Sequence, residues 1–276
     1  MVIFYNHNLI FKKAHMTSPD LQVDIRGEQQ EIAVIRLTRG KKRNAINDAL
    51  ILAIRDAFDG LPATVRAAVI DGEGEHFCAG LDLSELQERD AGQGLLHSRM
   101  WHAALERVQY GPVPVIAALH GAVVGGGLEL ASACHIRVAD ETTFYALPEG
   151  SRGIFVGGGG SVRIPRLIGV ARMTDMMLTG RVYNAAEGER IGLAQYLVPN
   201  GSAFDKAFEL ATRVAANAPL TNYALMHALP RIAEQPADQG FFTEAMMAAI
   251  AQSAPEAKQR VRDFLEGKAG TKVKKS

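Results

Sequence analysis

The chain has 276 residues, 47% hydrophobic and 22% charged, an ordinary globular composition with enough apolar material for a sizeable core. Lys and Arg number 30 and Asp and Glu also 30, so no overall field draws the chain to nucleic acid or an anionic membrane, and a charged partner must be caught locally. Two cysteines, Cys78 and Cys134, are too few for a disulfide framework and lack zinc or redox spacing, which fits a reducing cytoplasm and no metal site.

In chain order, residues 1–15 begin apolar, but Asn6, His7 and Asn8 break the run and no small-residue cleavage site follows. Neither a signal peptide nor a membrane span is expected there, and 1–15 is read as an extension outside the fold, with Met16 as the natural beginning. Residues 31–38 (EIAVIRLT) are apolar on both alternating faces and predict a buried strand. Ile46, Ala49, Leu50, Ala53, Ile54, Ala57 and Phe58 then recur at helical spacing, with Asn44 or Asn47 as cap and Gly60 and Pro62 as stop. A short buried strand at 67–70 follows, then a helix over 95–110, a strand at 115–119, a glycine-rich turn, a helix over 126–134 and a strand at 135–139. Alternating strands and helices predict an α/β layer architecture.

After about residue 200 strands are no longer expected. Ser202 can cap a helix carrying Phe204, Ala207, Phe208, Ala211 and Val214, another runs through 241–251, and Pro255 begins a last one. The expected organisation is an α/β core over 16–199, a helical region over 200–268 and a solvated basic tail over 269–276.

Three segments carry residues suited to chemistry. The strongest is Gly121 to Leu130, with Gly125-Gly126-Gly127 between strand and helix and Glu129 in the first helical turn. Glycines let a ligand approach the main chain, and the first N–H groups of a helix have no internal partner, which makes an anion site. A plain tight turn is the simpler reading of the glycines alone. A dinucleotide loop with Asp140 as ribose acid is disfavoured, since the spacing is not G-x-G-x-x-G and Glu129 stands where a pyrophosphate would sit. The second segment is Phe77-Cys78-Ala79-Gly80-Leu81-Asp82-Leu83, where the turn leaves the Leu81 N–H free and Asp82 can cap a short helix. The third is Phe144 to Gly150, where Glu149 between Pro148 and Gly150 reads locally as an exposed loop carboxylate, followed by Gly157 to Gly160, a second glycine-led helix start.

In order, these segments resemble the crotonase, or enoyl-CoA hydratase/isomerase, family over roughly residues 31–266. The resemblance also rests on Lys42-Arg43-Asn44-Ala45-Ile46-Asn47, Pro165-Arg166-Leu167-Ile168-Gly169 and Leu178-Thr179-Gly180. It implies a spiral of ββα units with a C-terminal helical trimerisation region, assembled as a homotrimer or homohexamer. It further implies an oxyanion hole from the N–H groups of Leu81 and Gly126, with Glu129 as base and Glu149 as acid. For an acyl-CoA substrate it implies contacts near Lys42, Arg43, Ala45, Phe77, Ala79, Gly80 and Asp82. Coenzyme A is then part of the substrate, no other cofactor is needed, and the expected reaction is hydration of a 2-enoyl-CoA thioester. A double-bond isomerase, a hydratase/lyase and a non-catalytic acyl-CoA-binding homologue remain alternatives. Val156 stands where the family's hydratases usually have proline, in a loop that walls the acyl pocket.

Overall fold

The computed structural model describes residues 18–85 and 88–268. The extension expected at 1–15 and the tail expected at 269–276 lie outside the described residues. The elements begin with β1 (Leu21–Arg26), β2 (Ile32–Leu37), α1 (Asp48–Asp59), β3 (Ala67–Gly72), α2 (Ala91–Gln109), β4 (Val115–Leu119), β5 (Ala122–Val124) and α3 (Gly126–Ala133). They continue with β6 (Ile136–Asp140), β7 (Phe144–Ala146), α4 (Gly160–Ile168), α5 (Val170–Thr179), β8 (Tyr183–Asn184), α6 (Ala185–Ile191), β9 (Tyr196–Val198) and α7 (Ala203–Ala215). The chain then runs through α8 (Pro219–Tyr223), a π-helical turn (Ala224–Ala228), α9 (Leu229–Ile232), α10 (Ala237–Ser253) and α11 (Pro255–Leu265).

A large sheet runs β1-β2-β3-β4-β6-β9, parallel throughout except for the antiparallel β1–β2 hairpin. A small sheet runs β5-β7-β8 and is extended by single bridges Cys78↔Val123 and Ile46↔Leu81. The repeat is visible in this pairing. Each unit gives one strand to the large sheet, one extended segment to the small layer, and then a helix: β2, Ile46, α1; β3, Cys78, α2; β4, β5, α3. This is the ββα spiral.

Burial on both faces explains the continuously apolar strands. Ala33, Ile35, Leu37, Ala68, Ile70, Ala117 and Leu119 pack with Leu50, Ile54, Phe58 and Leu105 of α1 and α2. The opposite face, with Ile32, Val69, Ile116 and Val138, is closed by Ala203, Ala207, Leu210 and Ala211 of α7. The C-terminal helical region therefore starts inside the core, because a two-sided sheet needs a second cover. Beyond it, α10 and α11 leave Phe241, Phe242, Phe264 and Leu265 exposed. No helix among the described residues is long and apolar enough to cross a membrane.

Of the two candidate caps, Asn47 accepts the Leu50 N–H at 2.9 Å. Asn44 instead sits buried in a left-handed conformation and donates to the carbonyls of Glu73 and His76, tying two loops together. Ser202 precedes α7 but makes no side-chain capping bond. Helix α2 starts four residues earlier than periodicity predicts, through the reciprocal capping box of Asp90 and Gln93, which outweighs the poor helix formers Gly92 and Gly94.

Candidate active site

The small layer brings the three glycine-bearing segments together. Beyond β3 the chain returns so that Cys78 pairs with β5, its N–H donating to Ala122 O at 2.9 Å and its carbonyl accepting from Val124 N at 3.1 Å. Residues 79–82 are then pinned to 43–46 by Ala79 N to Arg43 O, Ile46 N to Gly80 O and Asp82 N to Ile46 O. Gly80 has φ +98°, and a Cβ there would lie 2.8 Å from Val124 O, so only glycine fits. At Gly127 a Cβ would lie 2.3 Å from Cys78 O, which keeps the start of α3 against the buried Cys78. A Cβ on Gly126 would lie 3.5 Å from Leu81 N, so these two N–H groups are neighbours. Neither finds an acceptor among the described residues. The only tryptophan, Trp101, is buried beside them, with Cζ3 3.4 Å from that Cβ position.

Glu129, one turn into α3, is buried. Its Oε1 accepts from Gly158 N and Gly160 N at 2.8 Å each. The glycine run before α4 is thus a holder for this carboxyl as well as a helix start. Glu149 is not the exposed loop carboxylate that its neighbours in sequence suggest: it is buried, and its Oε2 is fully enclosed with no hydrogen-bond partner. Its Oε1 reaches within 2.7 Å of where a Cβ on Gly125 would be, placing it beside the same turn. Burial raises the pKa of both carboxyls. For Glu129 the two N–H donors oppose that rise, and the negative charge of Glu149 adds to it. Two neighbouring carboxyls with unequal support, next to two unused N–H donors, can hold one proton between them and an oxyanion beside them.

Residues 27–271 match the sequence profile of the enoyl-CoA hydratase/isomerase family. The chain belongs to this family. The 2,3-dehydroadipyl-CoA hydratase of Escherichia coli strain K12 is 30% identical over 242 residues, covering 86% of this chain and 93% of that protein. The mitochondrial enoyl-CoA hydratase domain-containing protein 2 of Mus musculus is 31% identical, covering 95% and 90%. A crystal structure of an assigned enoyl-CoA hydratase from Rhodopseudomonas palustris CGA009 is 62% identical with a TM-score of 0.88, covering 91% of this chain and 96% of that one.

The enoyl-CoA hydratase/isomerase resemblance also named a basic segment, and its residues fall into two groups. Asp82 is buried and accepts from Arg39 Nη2 and Lys42 Nζ at 2.9 Å each and from Ser84 Oγ at 2.6 Å. It caps the short turn Leu83–Glu85 through Ser84 N. Lys42 also donates to Ser84 Oγ, so both side chains are engaged within the protein. Ala45 accepts from Arg39 Nη1, and the Phe77 side chain is wholly in the core, leaving only its main chain for a ligand. Arg43 is exposed, with φ +52°. Val156 packs in the main core, while the adjacent Phe155 is exposed. Asp140, the acid a dinucleotide loop would need, is buried and accepts from Thr142 and Gly201.

The bonds from Ser84, first, and Lys42 hold the Asp82 carboxyl well below the ordinary carboxylate range. A depressed folded-state pKa contributes stability that is present above the unfolded value, about 3.9, and lost as pH falls through the folded one. Asp82→Asn is therefore expected to destabilise the protein clearly at pH 7 and progressively less below pH 4, measured by urea denaturation across that range.

Gly158, Gly160, Trp101 and Ser98, whose Oγ donates to Gly157 O at 2.6 Å, belong to the site without having been singled out by sequence as its supports. The four-glycine run was a visible signal of an unusual backbone, but nothing local connects it to Glu129. The cavities beside Asp71 and beside Lys41, about 600 Å3 each, are bordered by neither glutamate. Convergence of carboxyls and N–H groups, rather than cavity size, marks the candidate site.

Proposed function

We propose that the chain is a hydro-lyase that adds water across the double bond of a 2-enoyl-CoA thioester to give a 3-hydroxyacyl-CoA. The observation that carries this reading is the asymmetric pair: Glu129 held by two N–H donors and Glu149 with its Oε2 enclosed and unpartnered, both beside the unused N–H groups of Leu81 and Gly126. Donors to Glu129 favour its carboxylate, the form that takes a proton from water. Burial, which outweighs its own backbone N–H and the charge of Arg152, favours neutral Glu149, the form that gives one.

In this reading the thioester oxygen lies against Leu81 N and Gly126 N. Water oxygen bonds to Cβ as Glu129 accepts its proton, and the π electrons move to an enolate whose oxygen the two donors stabilise. Loss of one such donor costs about 3 kcal/mol of barrier. Glu149 then protonates Cα and the carbonyl re-forms, so one water is added. The glutamates exchange their proton before the next turnover and titrate as a pair. The residues call for no metal or redox step. CoA phosphates would be met near Lys41 and Arg43, with Lys42 and Asp82 shaping that edge, and adenine would meet the main chain of residues 77–80. The proposal extends to a homotrimer or homohexamer in which a second copy covers the exposed apolar residues of α10 and α11.

The test is the ultraviolet absorbance of a conjugated enoyl thioester on mixing with the protein, with product mass across a panel of acyl chains. Expected are loss of absorbance and a gain of one water. Conversion without mass change assigns an isomerase, and a split acyl chain assigns a lyase; either overturns the hydratase reading.

A further inference from the structure

The end of α3, the start of β6, α4, α7 and the π-helical turn enclose a cavity of about 390 Å3. That volume lies in the range of small-molecule sites. Two arginines, Arg137 and Arg163, line it, and both are buried. Arg137 donates through Nε to Leu193 O at 2.9 Å and through Nη1 to Cys134 O at 2.7 Å and Ala131 O at 3.5 Å. Arg163 donates through Nε to Gln109 Oε1 at 2.6 Å and through Nη1 to Gly158 O at 2.9 Å. Neither Nη2 donates to an acceptor among the described residues, and neither arginine has an Asp or Glu partner among them.

A buried guanidinium keeps its charge at a cost that a nearby anion offsets; Arg163 feels Glu129 and Glu106 without bonding either, whereas no carboxylate among the described residues acts on Arg137, so a bound anion is the expected compensation. No Asp or Glu lines the cavity. A third arginine, Arg166, stands at its edge and is already paired with Glu234 at 2.5 Å. Among the described residues the fully enclosed, unpartnered polar side-chain atoms are Asn44 Oδ1, Tyr145 Oη and Glu149 Oε2; neither Nη2 is one of them, so both are in contact with open space, and the cavity is the space their residues line. Across from them Leu167, Val214, Leu225, Met226 and Pro230 supply apolar wall. One side of the cavity therefore suits a negative head and the other a hydrocarbon body.

We propose that this cavity binds a small organic anion, a carboxylate with a short apolar tail, whose oxygens accept from Nη2 of Arg137 and Arg163. The site is separate from the two glutamates but not isolated from them. Arg163 holds the carbonyl of Gly158, whose N–H in turn holds Glu129, so occupancy reaches that carboxyl through a single intervening residue.

The probe is hexanoate at constant ionic strength, titrated calorimetrically into the full chain, with 1-hexanol as the uncharged comparison. Hexanoate is expected to bind at least about tenfold more tightly than hexanol. The variant is Leu225→Trp, which fills the cavity from a half-exposed position and leaves both arginines intact. It should weaken hexanoate at least about tenfold. Calorimetric binding of hexanoate requires no turnover, so this test stands whether or not the hydratase reading holds. Equal binding of acid and alcohol, or binding that survives Leu225→Trp, overturns the proposal. So does a crystal structure of the assembled protein with a carboxylate side chain of a second copy on the two Nη2 groups.

Discussion

Glu149→Gln is expected to lower kcat for enoyl thioester hydration by about 10²- to 10⁴-fold, the usual worth of a positioned acid. KM should change little, since the amide keeps the shape. Glu129→Gln should cost as much, because an amide held by Gly158 and Gly160 cannot accept a proton from water. Initial rates by absorbance check both. A wild-type rate in either variant removes that residue from the mechanism. Glu149→Gln should also change stability. The folded-state pKa of Glu149 is raised by burial. Below about pH 4 the carboxyl is protonated in both folded and unfolded chains and costs nothing. As pH rises past the unfolded value, the unfolded chain ionises first and gains relative to the folded one, until the folded value is passed. Glutamine removes this loss. Glu149→Gln should thus be more stable than the parent at pH 7, by a margin that shrinks toward pH 4 in denaturant titrations.

The second large effect is expected from a single methyl group. Gly125 has φ +51° and ψ −120°, a region that other residues enter at a cost of about 1–3 kcal/mol. An alanine Cβ there would also lie 2.7 Å from Glu149 Oε1. Gly125→Ala must therefore shift the Glu149 carboxyl, the Gly126 N–H, or both, and a displacement of about 1 Å in such a site costs roughly 100-fold in rate. Gly27→Ala is the comparison, since φ +94° strains any side chain there and the position lies in the turn between β1 and β2, away from the glutamates. It should lower the melting temperature with kcat per folded molecule unchanged. If Gly125→Ala lost stability alone, the turn would have no part in the chemistry.

What could be read from the sequence depended on whether the signal was local. The strands Ile32–Leu37 and Val115–Leu119 and the helices α1 and α3 follow from apolar periodicity, and they are found within a residue or two of where it places them. The small layer did not show. Strands β5 and β7 span three residues each, and the Cys78 and Ile46 bridges one pair each, too short for any periodicity. Yet that layer assembles the site. Glu129 was noticeable as an acid at a helix start, whereas the burial of Glu149 comes from the β7 pairing and the approach of Gly125, both long-range. Only the order of several motifs, compared with a family, placed the two together beforehand. The start of α2 shows the same limit, since a capping box decided it over local propensity.

Cys78 lies under this site, fully buried against Gly127, with burial pushing its thiol up to about 12. An enoyl thioester is an electrophile at the same carbon that water attacks in the proposed reaction, and a thiolate would add to that carbon faster than water does. Thiols react through the thiolate, and at neutral pH almost none exists here. In the proposed reaction, the close packing that sets the glycine turn in place would therefore also keep the enoyl thioester from alkylating this thiol.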